Sequence, residues 1–208
     1  MIQRVALTGM MTALAEVLMM LEIALPLMPG FLKYDLSDIP ALFAGFVCGP
    51  LAAVIVEFLK NLLHMPFTNT QYIGEVANFI SGSCFVLAAT IVYRKIGEIK
   101  GIILSLTAGT VALTVATSFV NYFFCLPLYE KVMGFPLPAI IDMCDKANTI
   151  VKINSKLDVI LMTFVPFNIF KGVTISIAAF MFYMPLIHFF ESRRHQAQME
   201  KEEKKTEE

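Results

Sequence analysis

Long apolar stretches separated by short polar breaks dominate the pattern along the chain, and they predict helices of membrane-spanning length. The first runs over residues 5–27 after a lone Arg4. It is too long for the core of a signal peptide and reads as an uncleaved helix. Pro29-Gly30 ends it, and a mixed aromatic and charged loop follows up to Ser37 and Asp38, either of which can cap the next helix with Pro40 in its first turn. Gly49-Pro50 then divides residues 39–64. Two short helices, 39–48 and 50–64, leave Arg4, Arg94, Lys95, Lys100, Arg193 and Arg194 on one side, as the positive-inside rule asks. The pattern continues with an outer turn over 65–73, a helix over 74–93, a basic inner loop and a helix over 101–126. An outer loop over 127–156, with a short interfacial helix at 138–144, leads to a last apolar stretch over 157–190. Its helix ends near His188. The expected fold is all-α with six transmembrane helices and both termini in the cytoplasm. Residues 1–192 form one membrane domain and 193–208 a charged cytoplasmic tail.

Composition agrees. The 208 residues are 57% hydrophobic and only 16% charged, and the mean hydropathy is +0.71. That is a multi-pass membrane protein with no room for a separate catalytic domain. Its net charge of −1, with basic residues spread over loops and tail, gives no basic patch for nucleic acid. Four scattered cysteines form no CxxC pair, so neither a metal site nor a disulfide framework is indicated. The chain contains no GxxxxGK[ST] loop, HExxH or GxSxG, so it reads as a non-enzyme that takes energy from elsewhere.

The informative residues are the polar ones inside apolar helices. Lys171 lies within the last stretch, three positions after Asn168 on the same helix face, with Pro166 able to free a carbonyl just upstream. A charge at that depth costs about 2.5–3.5 kcal/mol and needs a partner, a wet cavity or a ligand. If it serves a ligand, Lys171→Met is expected to fold at least as well and to lose binding. Lys60 has its own neutralising partner, Glu57, at i,i+3, and His64 is expected at the outer interface. Glu75 and Asn78 share a face at the outer end of their helix, where they either meet a ligand or merely solvate the end. Asn121 adds a polar group at a similar depth. Gly9 and Ala13 form a small-xxx-small face on the first helix, suited to packing within the bundle or against another membrane helix.

Several ordered segments together carry a resemblance: Phe31-Leu32-Lys33-Tyr34-Asp35-Leu36-Ser37-Asp38-Ile39-Pro40, Gly49-Pro50-Leu51-Ala52, the stretch from Glu57 to His64, Gly74-Glu75-Val76-Ala77-Asn78-Phe79, and Pro166-Phe167-Asn168-Ile169-Phe170-Lys171-Gly172. They resemble the riboflavin-specific substrate-binding subunits, or S components, of energy-coupling factor (ECF) transporters. The resemblance implies a six-helix protein of a bacterial cell membrane that captures riboflavin outside the cell. It also implies a transmembrane coupling subunit and two ATP-binding cassette ATPases as partners. It places Asn121, Asn168 and Lys171 in the flavin pocket, which the Leu36–Leu42 segment, including Leu42, and the Gly74–Asn78 turn line or close. Where that family's first helix meets the coupling subunit through Ala-xxx-Ala, this chain has Gly9 and Ala13.

Such residues suit a flavin. An amide such as Asn168 answers the alternating acceptors and donor of the ring's pyrimidine edge, Lys171 donates to a ring oxygen or nitrogen, and Asn121 or Glu75 meets ribityl hydroxyls. Riboflavin is then cargo, and no cofactor is implied. Two alternatives stay open: an S component for another vitamin, and a structural membrane protein in which Lys171 only pairs with a carboxylate.

Overall fold

The computed structural model describes residues 2–97 and 99–182. Helix α1 (Ile2–Met20) is followed by a two-stranded antiparallel ribbon, β1 (Ile23–Ala24) and β2 (Lys33–Tyr34), then α2 (Asp38–Cys48), α3 (Pro50–His64), α4 (Ile73–Ile96) and α5 (Ile99–Val120). A π-turn, Asn121–Cys125, carries α5 into α6 (Leu126–Val132). After α7 (Leu137–Ala147) and α8 (Lys156–Val159), a second π-turn at Ile160–Phe164 leads into α9, residues 165–182.

Five helical runs among the described residues are long and apolar enough to cross a membrane: Ile2–Met20, Pro50–Phe67, Ile73–Ile96, Gly101–Val132 and Lys156–Phe182. Asp38–Cys48 is apolar but shorter. The exterior is apolar, with Val5, Leu14, Phe58, Val111, Val115, Phe119, Val173 and Ile177 all exposed. A surface of this kind is stable in lipid and a liability in water. Small residues then let the helices close on one another. A side chain at Gly45 would collide with Thr90, so α2 approaches α4 closely there, and Ala15, Ala41, Leu42, Ala44, Ala53 and Ala89 fill the centre of the same cluster.

Gly49 joins α2 to α3 with φ of +112°, a conformation favouring glycine, and the Arg94 guanidinium lies against it. The α2–α3 turn therefore sits at the same end of the bundle as the basic end of α4. Two antiparallel helices occupy 38–64, as the charge distribution requires.

Apart from the short ribbon the regular elements are helical, and one expectation fails locally: α1 stops at Met20 instead of residue 27. Pro26 and the positive φ of Leu27 turn that segment into the ribbon, clasped by an ion pair between Glu22 and Lys33. Ser37 stands at the N-cap of α2, but its hydroxyl makes no cap bond and donates to Asp35. The expected end of the last helix near His188 and the tail over 193–208 lie outside the described residues.

Candidate functional site

The ends of α1, α3 and α5 and the starts of α4 and α9 meet at the end of the bundle away from Arg94, and there they line a partly open cavity of about 310 Å³. That is the lower end of the range for small-molecule pockets, roughly 300–1,000 Å³. The ribbon, the 65–72 turn and the α6–α7 segment cover it. Its apolar walls come from Phe31, Leu113, Phe164 and Phe167, with the rings of Phe31 and Phe164 6.2 Å apart.

Asn121, Asn168, Lys171, Glu75 and Asn78 all line this one cavity. Asn121 Nδ2 donates to the Thr117 carbonyl at 2.9 Å and Asn168 Nδ2 to the Phe164 carbonyl at 2.7 Å, each inside its own helix. Each amide keeps its oxygen and a second N–H for a ligand. Asn121 opens one π-turn and Phe164 closes the other, and an added residue there re-aims the side chains that follow; such turns recur at functional sites. Pro166 has the expected effect: the Met162 carbonyl, four residues upstream, accepts from Asn148 Nδ2 at 3.4 Å. Asn78 Nδ2 donates to Asn61 Oδ1 at 3.2 Å. Glu75 is buried in the first turn of α4, and Thr70 donates to it at 3.1 Å.

Leu42 is a correction. It is fully buried in the helix core and does not reach the cavity, because it lies more than a turn inside α2 among Ala41, Ala44 and Ala53. The loop contribution comes from Gly30–Lys33 and Asp35, ahead of the Leu36–Leu42 segment. His64 also differs from expectation. It is buried on the cavity wall, its Nδ1 3.1 Å from Glu16 Oε1.

Lys171 has a partner in the chain itself. Its Nζ donates to Asp35 Oδ2 at 2.9 Å and lies 3.7 Å from Asp38 Oδ2. Lys60, fully buried, lies 2.9 Å from Glu57 Oε1 and donates to Asp38 and to Ser37 Oγ, the latter at 2.8 Å. Three carboxylates and two ammoniums thus form one buried network. Burial would raise the Asp35 carboxyl, and Asp38 adds to that, but Lys171, Lys60 and the Ser37 hydroxyl outweigh both and hold it below the ordinary carboxylate range. Asp35 and Asp38 were not singled out in the sequence, where they look like loop and capping residues. Their signal was two intramembrane lysines with only Glu57 in sight. Ser81 and Thr117 were missed as well; both line the cavity, and their hydroxyls are buried without a partner. Buried orphan hydroxyls are uncommon and mark places where a ligand or water completes the bonding.

An apolar helical shell around a partly open chamber with a polar, partly unsatisfied lining defines a membrane protein suited to holding a small molecule. The chain belongs to the family of ECF transporter substrate-specific components, whose family model matches residues 3–183. It is 32% identical to the riboflavin transporter FmnP of Bacillus subtilis (strain 168), over 93% of this chain and 96% of that one. It is 35% identical to the riboflavin transporter RibU of Staphylococcus aureus (strain TCH60), over 90% of this chain and 92% of that one. A solved structure of the S component of a bacterial ECF transporter superposes with a TM-score of 0.72 at 32% identity, covering 90% of this chain and 97% of that one.

Proposed function

We propose that this chain is the riboflavin-binding subunit of an ECF transporter in a bacterial cell membrane. In this reading it captures the vitamin outside the cell and presents it to a transmembrane coupling subunit driven by two ATP-binding cassette ATPases. The observation that carries the ligand role is the chamber itself, where aromatic walls stand beside two orphan hydroxyls and two half-used amides. The structural alternative explains the Lys171–Asp35 pair but leaves Ser81 and Thr117 unpartnered. Names of the relatives favour riboflavin over another vitamin.

Asn121, Asn168, Lys171, Glu75 and Asn78 contact the flavin in this reading, together with Ser81 and Thr117. The chain has no catalytic role of its own, and the flavin is cargo, not cofactor. Six helices cross the membrane, with the short α2 counted as a crossing, and both termini face the cytoplasm. The alternating directions of α1 through α5 and α9, and the Arg94 guanidinium against the α2–α3 turn, support that orientation. Residues 1–192 make the binding domain and 193–208 the cytoplasmic tail. Gly9 and Ala13 form the docking face for the coupling subunit: both are exposed, and a side chain at Gly9 would meet nothing within 4 Å.

Detergent-purified protein titrated with riboflavin, with the absorption spectrum as readout, tests the reading. A yellow protein binding riboflavin at one site is expected. A colourless protein that takes up no riboflavin would reject it.

A further inference from the structure

We infer that Glu57 binds a proton inside the bundle and donates it in a hydrogen bond to Asp38, so that this proton completes the charge balance of the buried network. The inference does not depend on which small molecule the chamber holds. Among the described residues the network has three carboxyl groups, on Asp35, Asp38 and Glu57, and two ammoniums, on Lys60 and Lys171. Lys171 is matched by Asp35 at 2.9 Å, and Lys60 donates to Asp38. With every carboxyl ionised, one negative charge would stand unmatched at Glu57, whose side chain is fully buried. The elements packed around it bring no further free cation. Glu16 of α1 faces His64, α2 brings Asp38, and α4 meets Glu57 with Gly82, where a side chain would collide with Glu57 Oε2.

The hydrogen bonding asks for the same proton. Asp38 Oδ2 and Glu57 Oε2 are buried without a hydrogen-bond partner, and Glu57 Oε1 has only its ion pair with Lys60. The Asp38 and Glu57 carboxyl groups nonetheless lie within hydrogen-bonding reach of each other. Two carboxylates are acceptors only and repel at that distance, whereas a carboxylic acid has an O–H to donate. An isolated ionised carboxylate is so costly to bury that such a group takes up a proton instead. As the helices assemble, the Glu57 carboxylate accepts one proton from water, forms an O–H bond and donates it to Asp38. The network then closes as two ion pairs, Asp35 with Lys171 and Asp38 with Lys60, joined by a neutral acid. A metal ion could balance the charge too, but a hard cation needs a shell of several oxygens. Glu57 Oε2 is pressed against Gly82, and no group of three or more His, Cys, Asp or Glu side chains among the described residues is placed to hold one. A proton fits where an ion does not.

Infrared spectra of the purified full chain, with isotope-labelled glutamate carboxyls in a detergent free of esters, read the proton directly, because a carboxylic acid and a carboxylate absorb at different frequencies. At neutral pH wild type is expected to show a labelled carboxylic-acid band that is lost in Glu57→Gln and kept in Glu130→Gln, where the carboxyl is exposed. The glutamine amide supplies a neutral donor in place of the acid O–H, so Glu57→Gln should also melt close to wild type. Absence of the acid band from wild type overturns the inference, as does a band that Glu57→Gln leaves in place. A Glu57→Gln chain that fails to fold, or melts far below wild type, overturns it as well, since that is the outcome if Lys60 needs an ionised Glu57.

Discussion

Lys171 neutralises Asp35, as a structural ion would, and it also lines the cavity, where a ligand donor would stand. Lys171→Met therefore no longer qualifies as a harmless removal of charge. It strands a buried carboxylate, which costs about 3–5 kcal/mol, so the variant should lose much of its thermal stability in detergent. Asp35→Asn added to Lys171→Met should recover most of that stability. If Lys171 also donates to the flavin, the recovered double variant should still bind riboflavin one to two decades more weakly, since a hydrogen bond to a charged group is worth about 1.5–3 kcal/mol. Recovery of stability together with full affinity would assign Lys171 to the framework alone. Because Asp35 is held below the ordinary carboxylate range, its pairing contributes at neutral pH and is lost only as pH falls through that depressed value. A milder effect is expected one helix away. Glu57 Oε2 and Asp38 Oδ2 lack a hydrogen-bond partner, and Glu57 Oε1 has only its ion pair with Lys60, so Glu57→Gln, whose amide can donate, should cost far less stability than Lys60→Met in the same melting assay. The lysines were legible in the sequence because charge is rare in apolar helices. Their carboxylates were not, since an acidic residue in a loop looks solvated until the fold buries it.

Helix identity followed from hydrophobic runs and from Gly and Pro breaks, which is why α2, α3, α4 and α7 fall close to their predicted ranges. The π-turns left no such trace, because an extra residue in a continuous apolar helix does not alter composition or period enough to see. The first nonetheless sets which way Asn121 faces relative to Tyr129, and the second which way Asn168 and Lys171 together face relative to α8. Phe123 is exposed on the first of them. Its deletion should convert the π-turn to ordinary α-helix and rotate α6 by about 100° against α5. The span should still insert, judged by expression in the membrane, while riboflavin affinity falls by more than roughly tenfold. Retained affinity would mean that the register of α6 does not matter to the chamber.

Across the whole molecule, bulky apolar side chains cover the exterior, while the interior combines apolar clusters with buried ions and amides. Hydropathy made that legible as a class of protein, whereas the chamber required knowing which helix ends converge. On this exterior Gly9 and Ala13 are a gap in an otherwise bulky apolar face, open to a neighbouring helix. Replacing both with Leu fills space that the chain's own bundle does not use. Riboflavin binding by the isolated protein should be unchanged, and uptake by cells and copurification with the coupling subunit should both fall to background. Normal uptake by that variant would move the docking surface elsewhere.

The long-range pair between Asp35 and Lys171 also imposes an order in time. Lys60 follows Asp38 by 22 residues, so the early helices carry their own counter-charge from the start. Lys171 is synthesised 136 residues after Asp35, about 7–27 s later at 5–20 residues per second. Through that interval the ribosome has produced a carboxylate whose own lysine does not yet exist and which has only the more distant Lys60 as counter-charge. The Asp35–Lys171 pair on the cavity wall can form only once the last helix is made. A chain cut short before Lys171 thus differs from a finished one by a carboxylate left without its lysine, a mark by which membrane quality control can tell them apart.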